Sequence, residues 1–169
     1  TTLAIDCAVR AGRVGEALEL ARDWQVRHGG DPGPQATIPI GAWALIAEGD
    51  LDGADALLAD WTDNAIPRIG SVPTARGLLL RAELARIRGA EAAACELLLL
   101  ADALAAPIAN PGIVRHLPEL AETLAAVGRF GAAQRAATRL AEAARTRPTR
   151  WAVLAAARAE LAIAPDAEL

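Results

Sequence analysis

Four times along this chain a glycine is followed five residues later by an alanine, each time between two apolar stretches. The pairs are Gly12/Ala17, Gly49/Ala54, Gly89/Ala94 and Gly128/Ala133, and successive glycines lie 37, 40 and 39 residues apart. A near-constant period of this size is the signature of stacked two-helix units, each of which cannot bury its apolar face alone.

Taking each glycine as the origin aligns the units. Eleven residues before it stand Thr1, Ile38, Leu78 and Leu117; seven before, Ile5, Ala42, Ala82 and Ala121; four before, Ala8, Leu45, Ala85 and Leu124. Steps of four and three trace one face of a helix, here called the A helix of each unit. Beyond the glycine a B helix carries its own stripe. Eight residues on come Leu20, Leu57, Leu97 and Ala136; nine on, Ala21, Leu58, Leu98 and Ala137; twelve on, Trp24, Trp61, Ala101 and Leu140. Trp24 and Trp61 share a slot in the stripe and are expected in the core.

The glycine ends helix A because it enters the left-handed C-cap conformation without strain. Prolines then close helix B: Pro32 and Pro34, Pro67, Pro107 and Pro148. Ser71 and Thr149 are expected as N-caps. The spacing predicts helices over 2–11 and 14–27, 36–48 and 51–64, 73–88 and 91–105, 113–127 and 130–145, with a lone helix at 150–163. The reading is all-α: about four helical hairpins plus a terminal helix, as a single domain over residues 1–169.

Composition agrees and narrows the function classes. Apolar residues are 53% of the chain, there is one Phe and no Tyr or Met, and the alanine- and leucine-rich remainder favours helix over strand. Net charge is −4 and the basic residues are scattered singly, so no face to grip nucleic acid is expected. The apolar run from Leu97 to Ala109 is interrupted by Asp102 and Pro107 and is too short to span a bilayer. Two cysteines, Cys7 and Cys95, are expected as free thiols filling gaps in small-residue packing, in a reducing cytoplasm. The absence of an initiating Met suggests an excised piece of a larger protein.

Gly49-Asp-Leu-Asp-Gly-Ala54 resembles the turn of tetratricopeptide repeats, with a longer period and Ala or Leu at the aromatic signature positions. That resemblance implies a right-handed α-α superhelix whose A helices line a concave groove. Glu119-Leu-Ala-Glu-Thr-Leu124, Gly128-Arg129, Ala132-Ala133, Trp151, Ala157-Arg158-Ala159 and Ala167-Glu168 form an ordered series. This series is similar to the helical repeat region of large ATP-binding LuxR-type (MalT-like) transcriptional regulators, over roughly residues 117–169. The likeness implies a central sensor or scaffold between an ATPase and a DNA-binding module of the parent chain. Neither module is represented here: the phosphate-loop pattern G-x-x-x-x-G-K-[ST] does not occur.

Catalytic and metal-binding patterns are not evident. His28 and His116 lack ligand-spaced partners and read as solvated residues at helix ends. Glu16 and Glu19, and Asp52 and Asp55, read as outer faces of B helices, and the Gly/Pro-rich 28–34 segment reads as a loop. The groove is the remaining candidate. Six residues before each glycine stand Asp6, Trp43, Glu83 and Glu122, a column the packing stripes leave free. Thirteen before come Ala36, Arg76 and Arg115, and Arg10 and Arg86 lie one turn after the first column. Together they predict a groove of mixed charge with one aromatic, suited to a protein segment or a polar small-molecule effector, without catalytic residues, metal or cofactor. Three readings follow: the sensor region of a LuxR-type regulator, a stand-alone tetratricopeptide-like adaptor, and, least supported, a small hydrolase or transferase. Self-association through the unpaired last helix is left open.

Overall fold

The computed structural model describes residues 4, 5, 7, 8, 11–28, 37–65, 71–108 and 115–164. Among these residues every regular element is an α-helix and there is no strand. The helices are α1 (Val14–His28), α2 (Thr37–Glu48), α3 (Leu51–Ala65), α4 (Ser71–Ile87), α5 (Glu91–Ala105), α6 (Leu117–Ala126), α7 (Phe130–Thr146) and α8 (Arg150–Ile163). Ala4, Ile5, Cys7 and Ala8, from the helix expected at 2–11, are helical too.

All four period-setting glycines are left-handed, with φ of 73°, 86°, 75° and 75° at Gly12, Gly49, Gly89 and Gly128. At each, the amide of the next residue reaches back to a carbonyl five positions earlier. The pairs are Arg13 to Ala8 (2.9 Å), Asp50 to Leu45 (3.0 Å), Ala90 to Ala85 (2.8 Å) and Arg129 to Leu124 (2.8 Å). These are Schellman closures, which satisfy carbonyls that the end of helix A would otherwise orphan. Helix B starts at once: the amides of Ala17, Ala54, Ala94 and Ala133 make hydrogen bonds to the carbonyls four residues back. Thr149 caps α8, its hydroxyl accepting from the Ala152 amide at 3.1 Å. Ser71, expected as a cap, is instead the first helical residue of α4. α6 begins at Leu117, later than expected, after Arg115 at φ 62°.

Two compact units divide the chain, Thr1–Leu84 and Ala85–Leu169. In the first, α1 packs on α2 and α2 on α3. One core joins Ile5, Ala8, Ala17, Leu18 and Ala44; a second joins Ala42, Ala54, Leu58, Leu80 and Leu84. In the second unit α6 is contacted by α5, α7 and α8, and α7 also by α8. α6 is accordingly buried at Leu117, Pro118, Leu120, Ala121, Thr123 and Leu124.

The alanine columns are fully buried. Ala17, Ala54, Ala94 and Ala133 are each 0% exposed, and Ile5, Ala42, Ala82 and Ala121 are at most 1%. In the last three hairpins a methyl side chain at both faces lets the two backbones approach. The A helices also bury a second stripe that the hairpin pattern does not predict. Ala44 and Leu84, five residues before their glycines, and Leu80, nine before, sit in cores shared with the preceding hairpin. The stripe toward a helix's own partner and the stripe toward the preceding hairpin lie side by side, so Leu45 and Ala85 are only half-buried.

Two expectations are corrected. Cys7 is exposed and fills no gap; only Cys95 is buried, and both thiols are free. His116 is 2% exposed rather than solvated, because it closes the space between α5 and the start of α6. The side chains of Trp24 and Trp61, His28, the inter-repeat prolines 32, 34 and 67, and residues 113 and 114 lie outside the described residues.

Candidate functional site

α8 has no glycine to set its register, but two contacts with the preceding A helix do so. The Arg115 guanidinium lies 5.1 Å from the centroid of the Trp151 ring, and the Arg158 guanidinium grips Glu122 through Nε to Oε1 and through Nη2 to Oε2 at 2.6 Å. Both pairs are 36 residues apart. Counting thus from Gly128 puts the α8 origin at Ala164, with Trp151 thirteen and Arg158 six residues before it. The two sequence columns therefore continue into α8, and their members touch from one hairpin to the next.

Around Glu122 this builds a ladder of alternating charge. Arg86 Nη2 donates to Glu122 Oε2 at 3.3 Å and its Nε lies 4.0 Å from Glu91 Oε2. Arg158 Nη1 donates to Glu119 Oε1 at 3.0 Å. Bonding to Glu122, with the added field of Glu119, outweighs desolvation and raises the Arg158 pKa above its usual value. Glu119 Oε2 is buried without a hydrogen-bond donor. The cluster holds three carboxylates and two guanidinium groups, leaving acceptor capacity on the acidic side.

Of the groove residues predicted from sequence, Arg86 and Glu122 are brought into contact, and Arg115 faces Trp151. Arg76 and Glu83 are half-buried and make polar interactions of their own. Trp43 is half-buried and packs against both cores of the first unit, joining Ile5/Ala8/Ala17/Leu18/Ala44 to Ala42/Ala54/Leu58. Asp6 and Arg10 lie outside the described residues. Trp151 and Arg158 were missed as groove residues because no glycine follows α8 to count from.

A second polar cluster was also missed. Asp102 of α5 meets His116 Nε2 at 2.7 Å and receives Arg139 Nη1 and Nη2 of α7 at 2.8 and 3.0 Å. Burial pushes the Asp102 pKa up, but the hydrogen bonds from His116 and Arg139 and their charges prevail and hold it at about 2. Bonding to Asp102 in turn raises the Arg139 pKa. The His116 Nδ1 is buried and unpartnered. Asp102 and Arg139 are 37 residues apart, one period, which is the signal that could have paired them. Cys95 is not part of this cluster; its Sγ accepts from Arg129 Nη1 at 3.6 Å.

Among the described residues no group of three or more His, Cys, Asp or Glu side chains is placed to hold a metal ion, and no helix is long and apolar enough to cross a membrane. No family model matches the chain, and neither a curated protein nor a solved structure shows significant similarity to it.

Proposed function

We propose that the chain is a non-enzymatic helical-repeat scaffold, a tetratricopeptide-like right-handed superhelix that holds a protein segment or small effector on the face of its A helices. The observation carrying this reading is that residues of the two sequence columns meet about one period apart, as Arg115 with Trp151 and Glu122 with Arg158. A surface of half-buried Arg, Glu and Trp side chains suits a guest that donates hydrogen bonds: a peptide with basic or amide side chains, which would compete for Glu119 and Glu122. The hydrolase reading has little support, since in the imidazole–carboxylate pair found among the described residues, His116 with Asp102, the imidazole is buried.

Within this reading, the Glu119–Leu124, Gly128-Arg129 and Ala157–Ala159 series favours the sensor segment of a LuxR-type regulator, with ATP and DNA handled by other modules of a longer parent chain. A stand-alone adaptor uses the same groove and needs neither module, so the coding sequence on both sides separates the two. A phosphate loop upstream and a helix-turn-helix downstream are expected; absence of both leaves the adaptor. The groove itself is tested by selecting displayed peptides on the chain, with Glu122→Arg as counter-target. Enrichment of basic peptides that lose binding to the variant is expected, and enrichment indifferent to the substitution would overturn the groove.

A further inference from the structure

A seam with two orphaned polar groups runs between α5 and α6. Five residues before its glycine, α6 carries Thr123 where α2 and α4 carry Ala44 and Leu84. Ala44 shares an apolar core with Ala17 and Leu18, and Leu84 one with Ala54 and Leu58. Leu18 stands six residues beyond Gly12, and the matching residue of α5, six beyond Gly89, is Cys95. A hydroxyl and a thiol thus occupy slots that are apolar in the first hairpin junction. Thr123 is 1% exposed, and its Oγ1 has no hydrogen-bond partner among the described residues. At the other end of the seam His116 repeats the pattern: Nε2 meets Asp102 of α5, while Nδ1 is buried without a partner. An orphaned polar atom costs free energy only while the seam is shut, because it regains water once the helices part.

Polar ties at the edge hold this seam shut. Arg139 of α7 makes its two bonds to Asp102, Arg86 at the end of α4 reaches Glu122, and Arg129 donates to the Cys95 Sγ. The helices beyond the seam are joined differently. α6, α7 and α8 pack on one another through apolar residues such as Leu124, Leu140 and Ala159, each at most 1% exposed. We infer that the α5–α6 seam is an opening joint: α6, α7 and α8 part from α5 as one body, short of global unfolding, and bring the Cys95 thiol to solvent. The joint does not rest on the groove reading, since neither Thr123 nor Cys95 belongs to the columns that would face a guest.

Thiol labelling of the intact chain with DTNB reads the opening, because Cys95 is buried and the exposed Cys7 serves as an internal reference. The Cys95 rate is expected to rise with urea below the unfolding transition, with a slope between zero and that of global unfolding. A zero slope means local breathing at the thiol, and the full slope means that only unfolding reaches Cys95; either overturns the joint. Thr123→Val keeps the shape and removes the orphaned hydroxyl, so it is expected to slow Cys95 labelling about threefold. Unchanged or faster labelling of that variant overturns the inference, because the hydroxyl would then not be a burden on the closed seam. Arg139→Gln is expected to speed Cys95 labelling about tenfold by releasing Asp102, and an unchanged rate overturns the latch. The moving body is checked with Ala136→Cys in a Cys95→Ala background, Ala136 being buried on α7. That thiol should label about tenfold more slowly than Cys95 does, since it stays inside the three helices. An equal rate would mean that the whole unit opens, and would overturn the joint.

Discussion

At Gly128 a methyl group would meet nothing within 4 Å, so only the backbone, at φ 75°, demands glycine. Gly128→Ala is therefore expected to lose about 1–2 kcal/mol in urea unfolding, the cost of a left-handed L-residue. Gly128→Asn should lose less, because asparagine tolerates that conformation. Ala94, 0% exposed, faces the opposite constraint. Ala94→Leu should cost about 1–3 kcal/mol by overpacking, and an unchanged melting temperature would refute the hairpin alignment. Trp43 packs against both cores of its unit, so Trp43→Ala should destabilise by about 2 kcal/mol in addition to any effect on a guest. Asp102 adds a pH dependence. Its folded pKa of about 2 lies below the usual 3.8, so its contribution is full above about pH 4 and is lost as pH falls toward 2. The stability gap between the protein and Asp102→Asn, about 2 kcal/mol on that shift, should close over this window in acid titrations.

At the level of helices, the hairpins were legible because their stop and start signals are local. A left-handed glycine, a reach-back amide and an alanine one turn into the next helix need no distant partner. The bounds of α5 (Glu91–Ala105) agree with the spacing for that reason, and those of α8 (Arg150–Ile163) agree because Thr149 caps its start. The second buried stripe was not legible, because whether Ala44, Leu80 or Leu84 is covered depends on where the preceding hairpin lies. His116 went unread for the same cause: its polar partner, Asp102, belongs to another helix. In the site, columns counted from glycines found Arg86, Glu122 and Arg115, whereas Trp151 and Arg158 needed the contacts that set the α8 register. Arg158 is half-exposed, so each of its ion pairs is worth little alone. Because it joins two carboxylates of α6, Arg158→Ala is expected to cost about 1 kcal/mol, with the loss shrinking as salt rises.

Taken as a molecule, the chain is two compact units, and among the described residues the helices pack on those one or two places away in sequence: α1 on α2, α2 on α3, α5 on α6, α6 on α7 and α8, and α7 on α8. On the proposed repeat architecture, stability is roughly a sum of local terms, and opening spreads outward from a weak point. Hydrogen exchange on Ala133→Asp should accordingly show lost protection in α6 and α7 first. The uniform alanine floor between hairpin helices has a genetic corollary. Because each hairpin closes on the same small-residue contact, a cassette of about one period carries its own internal interface when the gene lengthens or shortens. Unequal recombination in an alanine-rich coding tract would then add or remove hairpins that each close on themselves.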